Sequence, residues 1–224
     1  MRGYNPDRYK KPSVTVDIAI CQIRDGIFKV LLIKRKNSPY KGMWAIPGGF
    51  LQVDARETLE QTAARELMEE TGLKGIYFEQ LKTYGDPDRD PRMRIITVAY
   101  YALMPTGMGL EPRAGDDAAE VQWFSFQDLP KLAFDHDIIL QDVRDRIKGK
   151  LNYAPIIFNM VSEQFLWSEL QAVYEAISGE KYEDGNFRRF MKYRFDIRPG
   201  TKLRQGKLGR PGRLFRYRGI KRAR

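Results

Sequence analysis

Three glutamates, Glu66, Glu69 and Glu70, fall within five residues of one another. On an α-helix the positions i, i+3 and i+4 share a face, so their carboxylates would project into one small volume. Like charges repel there unless a cation sits among them. All-oxygen ligands of this kind suit a hard divalent ion, Mg²⁺ or Mn²⁺, and such ions commonly accompany phosphate chemistry. A bound metal makes its water more acidic, and a neighbouring carboxylate can take the proton. Glutamate-rich helix faces are most often solvated surface with no chemistry, and three local features argue against that default. Pro47-Gly48-Gly49 predicts a tight turn before the helix, Thr58 with Gln61 forms a capping box, and Gly72 supplies a stop. Leu59, Ala63, Leu67 and Met68 are then expected to hold the opposite side to the core.

The stretch from Glu57 to Leu73 resembles the signature of the Nudix hydrolases at every position, including the seven residues from Thr58 to Ala64 before Arg65. The departure lies upstream, where seven residues instead of the family's five separate Gly49 from Glu57 and predict a longer loop. The resemblance implies hydrolysis of a nucleoside diphosphate joined to another group, with Mg²⁺ or Mn²⁺ neutralising the diphosphate. It makes Glu66 and Glu70 the main metal ligands and Glu69 a supporting ligand or water orienter. Gly48, Gly49, Glu57, Arg65 and Gly72 become the structural part of the box, with Glu57 and Arg65 bracing loop against helix by charge pairing. A further carboxylate is expected from the loop before the last strand of the domain. Within Gly115 to Glu120, ahead of the strand-like Val121 to Phe124, Asp117 is the first candidate and Asp116 the second. The catalytic set is thus Glu69, Glu70 and Asp117.

Other chemistries have little material. One His and one Cys leave almost nothing for a His-based triad or a Cys/His zinc site. His136 reads as a capping or packing residue at a helix start, and Cys21 as a buried thiol in a strand. A lone cysteine precludes an internal disulfide, which fits a reducing cytoplasm. No long apolar run and no signal-like amino terminus are present, so a soluble, unexported, cytoplasmic protein without membrane contact is expected.

The elements that would carry this site read as a Nudix α/β/α sandwich with a mixed sheet. Val14 to Ile23 and Phe28 to Ile33 are β-rich runs joined at Asp25-Gly26, a hairpin signal. Another strand is predicted from Arg94 to Leu103. Before it, the loop Arg89 to Arg94 presents arginines that could reach a substrate phosphate. Arg35, Arg92 and Arg94 are the candidate ligand-binding residues, each weighed against a plain surface charge. Asp135 to Leu151 reads as a connecting helix with Ile139, Val143 and Ile147 along one stripe, facing either the core or a second subunit.

Charge divides the chain. Residues 181–224 carry 16 Lys and Arg against 3 acids, a net of +13, whereas the preceding 180 residues carry 23 against 26. A basic carboxyl-terminal part beside a slightly acidic one points to a polyanion, most simply nucleic acid. The basic part is also patterned. Leu170, Val173, Tyr174 and Ile177 predict an amphipathic helix from Ser168 to Ser178, stopped at Gly179. A second helix from about Asp184 would bury Phe187, Phe190 and Met191 and expose Arg188, Arg189 and Lys192. Phe195 to Arg198 and Arg213 to Arg218 predict two strands joined by a basic loop. Helix, turn, basic helix and basic hairpin make a winged helix-turn-helix, whose second helix can enter the major groove. Its wing would place Lys202, Arg204, Lys207, Arg210 and Arg213 against the backbone, where contacts supply affinity more than sequence choice. A solvated or RNA-binding basic module is the competing reading.

Phe165 to Leu170, Val173 to Ile177, Asn186 to Arg189 and Gly209 to Arg216 resemble the Nudix-related transcriptional regulators of the NrtR group. That resemblance runs from about Ser13 to Tyr217. It implies a Nudix domain that senses ADP-ribose and a homodimer whose winged helices bind palindromic operators of NAD-metabolism genes. It also implies release of the DNA by the ligand. The expected organisation is an arm at residues 1–12, a Nudix domain with its connecting helix at 13–150, and a winged helix with a basic tail at 151–224. Three functions follow for testing: a ligand-responsive regulator, a Mg²⁺-dependent ADP-ribose pyrophosphatase releasing AMP and ribose 5-phosphate, and a Nudix enzyme whose basic module binds RNA or protein.

Overall fold

The computed structural model describes residues 5, 8–72, 74–108, 118–204 and 212–220, with backbone alone at 70, 71, 118, 201–204 and 212. β1 (Ser13–Arg24) and β2 (Ile27–Arg35) form a hairpin over Asp25-Gly26, where both φ angles are positive, 55° and 73°. That is the backbone a two-residue hairpin turn requires. The strands pair antiparallel only from Cys21–Val30 to Arg24–Ile27 and then part. Into the gap come two short strands, β3 (Trp44–Ala45) on β2 and β4 (Gly48–Phe50) on β1. On its other edge β1 runs parallel to β6 (Ile95–Met104), which pairs with β5 (Tyr77–Tyr84), while β7 (Ala118–Ser125) closes on β2. The result is a seven-stranded mixed sheet split at one end.

Residues of β1 alternate between two cores, as a strand's period of two demands. Val16, Ile18 and Ile20 pack with Ala63 and Leu67 of α1 (Leu59–Thr71). Ala19, Cys21 and Ile23 pack with Ile139, Leu140, Val143 and Ile147 of α2 (His136–Lys150), so the α2 stripe is core. Cys21 is fully buried in its strand, as expected. Met68, expected in the core, is 38% exposed. It lies one residue past Leu67, at the edge of the buried stripe, where the turn of the helix carries it outward.

The second core does not stop at α2. It continues through a 3-10 helix at Pro155–Met160 into α3 (Trp167–Ser178), α4 (Asp184–Arg194) and the start of β8 (Phe195–Arg204) as one cluster. β8 pairs antiparallel with β9 (Gly212–Ile220) to form the wing. Both wing strands are longer than expected. Lys202 and Arg204, placed in the connecting loop by their composition, belong to β8, because the ladder resumes at Leu203–Arg213 after an irregularity that starts at Pro199. Proline has no N–H to give a ladder, so a slip there is expected. Among the described residues no helix is long and apolar enough to cross a membrane.

Candidate functional site

α1 begins at the Thr58 cap, where Oγ1 accepts from Gln61 N–H and the Gln61 side chain accepts from Thr58 N–H. It ends at Gly72 with φ 69°. Both termini match the expectation. The Pro47-Gly48-Gly49 segment is different: Gly48 and Gly49 are strand residues of β4, not a turn. Glycine is required there by proximity. A Cβ on Gly48 would collide with Val16 O and Asp17 Oδ1, and one on Gly49 with Glu66 Oε1.

Arg65 organises the acidic face. Its Nε donates to Glu57 Oε1 at 2.9 Å, one terminal nitrogen to Glu66 Oε1 at 2.6 Å and Glu69 Oε2 at 3.2 Å, and the other to Phe50 O at 3.2 Å. The expected Glu57–Arg65 brace is therefore present. The Arg65 hydrogen bond holds the Glu57 carboxyl below the usual carboxylate range. Glu66 goes the other way, because burial raises it against the help Arg65 provides. Glu70 has its backbone in α1, but its side chain lies outside the described residues, as do Asp116 and Asp117. Among the described residues no group of three acidic, His or Cys side chains gathers as a metal site.

The residues present fit a hard cation by their chemistry. Glu66 and Glu69 offer oxygen only, and Glu66 is a buried carboxylate whose cost a nearby positive charge would offset. Divalent ions are what the Nudix hydrolase family uses. Glu66, Glu69 and, by its position one helical turn past Glu66, Glu70 are the residues that would hold one.

Glu66 and Glu69 form one wall of a cleft of about 810 Å³ at the split in the sheet. Gly48, Gly49 and Phe50 line it, as do Arg35 and Arg92, two of the three candidate ligand arginines. Arg94 is exposed and does not line the cleft. Arg35 Nε donates to Pro39 O at 2.9 Å and its guanidinium lies 4.8 Å from the Phe134 ring. Arg92 forks onto Asp90 at 3.0 and 2.7 Å and stands between Phe50 and Phe134, 5.6 and 5.9 Å from the ring centres. Arg89, expected as a loop residue able to reach a ligand, is buried and forked onto Asp135 at 3.0 and 2.7 Å. Buried guanidinium needs a partner of this quality, so its charge is committed to the fold.

Sequence reasoning passed over the aromatic side of the cleft. Phe134 holds φ 56°, a backbone that bulky residues avoid, and meets the Tyr40 ring edge-on at 4.8 Å. A flat apolar face beside two guanidinium groups suits a nucleobase. His136 starts α2 and is buried, as anticipated, but it also has a task at the cleft. Its Nδ1 accepts the Ile46 N–H at 2.9 Å, which fixes the chain just before β4. Burial lowers its pKa, and an Nδ1 that accepts a hydrogen bond carries no proton. Asp17, also missed, lines the same cleft from β1. Its only sequence signal was a carboxylate, the one acid in β1.

A second functional surface lies on the winged helix. Glu183 caps α4 by accepting from Gly185 and Asn186 N–H at 3.0 and 2.9 Å. Phe187 and Met191 are buried, Phe190 is half-buried, and Arg188, Arg189 and Lys192 are exposed on the outer side, as expected. Lys192 also lies 5.7 Å from the Trp167 ring, and Tyr193 beside it is 80% exposed. Arg213 is exposed on β9. Lys207 and Arg210, and the side chains of Lys202 and Arg204, lie outside the described residues.

Residues 11–143 match the NUDIX domain family and residues 157–217 the NrtR DNA-binding winged helix domain. An ADPR responsive transcriptional repressor, NtrR, from Acinetobacter baylyi is 34% identical over 96% of this chain and 85% of its own. An ADP-ribose pyrophosphatase from Methanocaldococcus jannaschii is 46% identical over 60% of this chain and 74% of its own. The crystal structure of Shewanella oneidensis NrtR complexed with a 27mer DNA superposes with a TM-score of 0.77 at 32% identity, covering 92% of this chain and 93% of that one.

Proposed function

The chain belongs to the Nudix family and carries a winged helix of the NrtR type, and from that premise we propose that it is an ADP-ribose-responsive, DNA-binding transcriptional regulator. The observation that carries this reading is the apolar cluster that runs from the sheet beside the cleft, through α2 and α3, to Phe187 and Met191 beneath the exposed arginines of α4. Packed interiors transmit displacement because they deform little, so a ligand that shifts α2 has a route to α4. Residues 13–150 form the sensing part and 151–224 the DNA-binding part, with residues 1–12 as an arm. The regulator works as a homodimer in the cytoplasm, two α4 helices reading the halves of a palindromic operator in NAD or related sugar or nucleotide metabolism. Glu66, Glu69 and Glu70 would hold Mg²⁺, whose charge would neutralise a diphosphate.

The test is a mobility-shift titration of the full chain on palindromic sequences upstream of its own and NAD-pathway genes, with and without ADP-ribose and Mg²⁺. A sequence-selective shift reversed by ADP-ribose is expected. No selective shift at moderate salt would sink the regulator.

A second reading keeps hydrolysis. The glutamate helix is complete in sequence and braced by Arg65, and a relative that is an ADP-ribose pyrophosphatase is 46% identical over 60% of this chain. The expected result is Mg²⁺-dependent release of AMP and ribose 5-phosphate from ADP-ribose that Glu70→Gln abolishes. Equal, negligible release by wild type and variant would leave a sensor alone.

A further inference from the structure

We propose that Asp17 and His136 form the hydroxyl-recognition element of the cleft, holding one ribose hydroxyl of the bound nucleotide between Asp17 Oδ2 and His136 Nε2–H. The proposal rests on the reading of the cleft as a nucleotide site and names what selects the ligand there.

Asp17 Oδ2 is buried and has no hydrogen-bond partner. Buried carboxylate oxygens are costly to leave unsatisfied and are seldom found so. The nearest cationic group, an Arg89 terminal nitrogen, pairs with it by charge at 3.5 Å but makes no hydrogen bond to it, its short bond going to Asp135 at 2.7 Å. On the other side stands His136. Because Nδ1 accepts from Ile46 N–H, the proton of the neutral ring lies on Nε2, and Nε2 is 3.8 Å from Oδ2. That distance is too long for a direct hydrogen bond.

A buried acceptor and a fixed donor therefore converge without meeting. The group that completes them must donate and accept at one atom. A phosphate or carbonyl oxygen would face the Asp17 carboxylate, and an ammonium would face the imidazole N–H. A hydroxyl satisfies both, giving its proton to Oδ2 and taking Nε2–H on a lone pair.

The pair stands where a sugar would be. Asp17 is paired across the ladder with Gly48, next to Gly49 and its close approach to Glu66, so it adjoins the acidic face that would meet a diphosphate. Ribose is the hydroxyl-bearing group next to a nucleoside's diphosphate, and ADP-ribose has one at each end.

The experiment is calorimetric titration of full-length wild type, Asp17→Asn and His136→Asn with ADP-ribose, ADP and 2′,3′-dideoxy-ADP. Asn at position 136 places an oxygen near the Nδ1 position, and it carries the comparison if Asp17→Asn does not fold. Wild type is expected to favour a ligand with the recognised ribose over its truncated counterpart by about tenfold or more, and the variants to lose that preference. Loss of the ADP-ribose over ADP preference assigns the distal ribose, and loss of the ADP over dideoxy-ADP preference assigns the adenosine ribose. Folded variants that keep both preferences overturn the proposal and leave the nucleotide-site reading standing. A wild-type protein that binds none of the three overturns both.

Discussion

Arg65 Nε donates to Glu57 Oε1 at 2.9 Å, and that bond ties the loop ahead of α1 to the second turn of the helix. Glu57 Oε2 accepts from the Thr62 hydroxyl at 3.0 Å, so the carboxylate is gripped from two turns. The loop of extra length is thereby anchored at its end. It also explains why the arginine belongs in a cluster of glutamates: one planar fork can serve Glu57, Glu66, Glu69 and the Phe50 carbonyl together. A lysine offers a single point charge. Arg65→Lys is therefore expected to lower the unfolding temperature by roughly 2–4 °C, measured by calorimetry without added metal. An unchanged unfolding temperature would show that the fork is not needed.

Glu66 should behave oppositely. Its pKa is raised, so the folded protein binds that proton more tightly than the unfolded chain, and its charge costs stability above the folded pKa. The cost is relieved as pH falls from the folded pKa to the unfolded one. In chelator-treated protein, Glu66→Gln is expected to unfold at the same temperature as wild type or a few degrees higher. Added Mg²⁺ should raise the wild-type unfolding temperature and leave the variant's nearly unmoved. A wild type indifferent to Mg²⁺ and Mn²⁺ would remove the metal from the site.

Acid should loosen the turn between α3 and α4 through Glu175. Its carboxylate accepts from Lys181 Nζ at 2.7 Å, Gln171 Nε2 at 3.0 Å and Tyr182 N–H at 3.0 Å, and these bonds pull its pKa down to about 2. An unfolded glutamate titrates near about 4.3, so the stabilisation is complete above that value and is lost as pH falls through the folded pKa. Glu175→Gln should therefore lower the unfolding temperature near neutral pH, and the gap from wild type should close across the window from about pH 4 down to about pH 2. A gap independent of pH would mean that the amide fails for reasons of shape.

What was legible in the sequence followed from local rules. The capping box at Thr58 and Gln61, the stop at Gly72, the Asp25-Gly26 turn and the Glu57–Arg65 pair each depend on residues close along the chain, and each was found in place. The cleft was only half legible. Phe50, Phe134, His136 and Asp17 come together because β1 and β2 part and β4 fills the gap, a tertiary event that no single stretch records. Arg89 misled for the same reason, since a loop arginine looks free until Asp135, 46 residues away, is brought against it. Gly48 and Gly49 looked like a turn because glycine usually marks one. Here it marks a close approach of strand to strand and of strand to helix.

The exposed side of α4 sets the last expectation. Arg188 and Arg189 project from a helix whose buried side, Phe187 and Met191, is locked by edge contacts of Phe187 with Trp167 at 6.4 Å and Tyr174 at 5.5 Å. The arginines can thus be removed without disturbing the core. Removing a side chain that neutralises one phosphate lowers the slope of log affinity against log salt by about one unit, whereas removing one that reads a base relaxes specificity at that position. Arg188→Ala with Arg189→Ala is expected to weaken operator binding at least about tenfold at moderate salt. The cleft should be untouched, so ADP-ribose affinity by calorimetry should match wild type. If the salt slope falls by about two while relative affinities for operator variants are kept, both arginines ride the backbone. If the slope holds and one base position becomes indifferent, α4 reads that base directly. Undiminished binding would move the DNA contact from α4 to the wing, where Arg213 is the exposed described residue to substitute next.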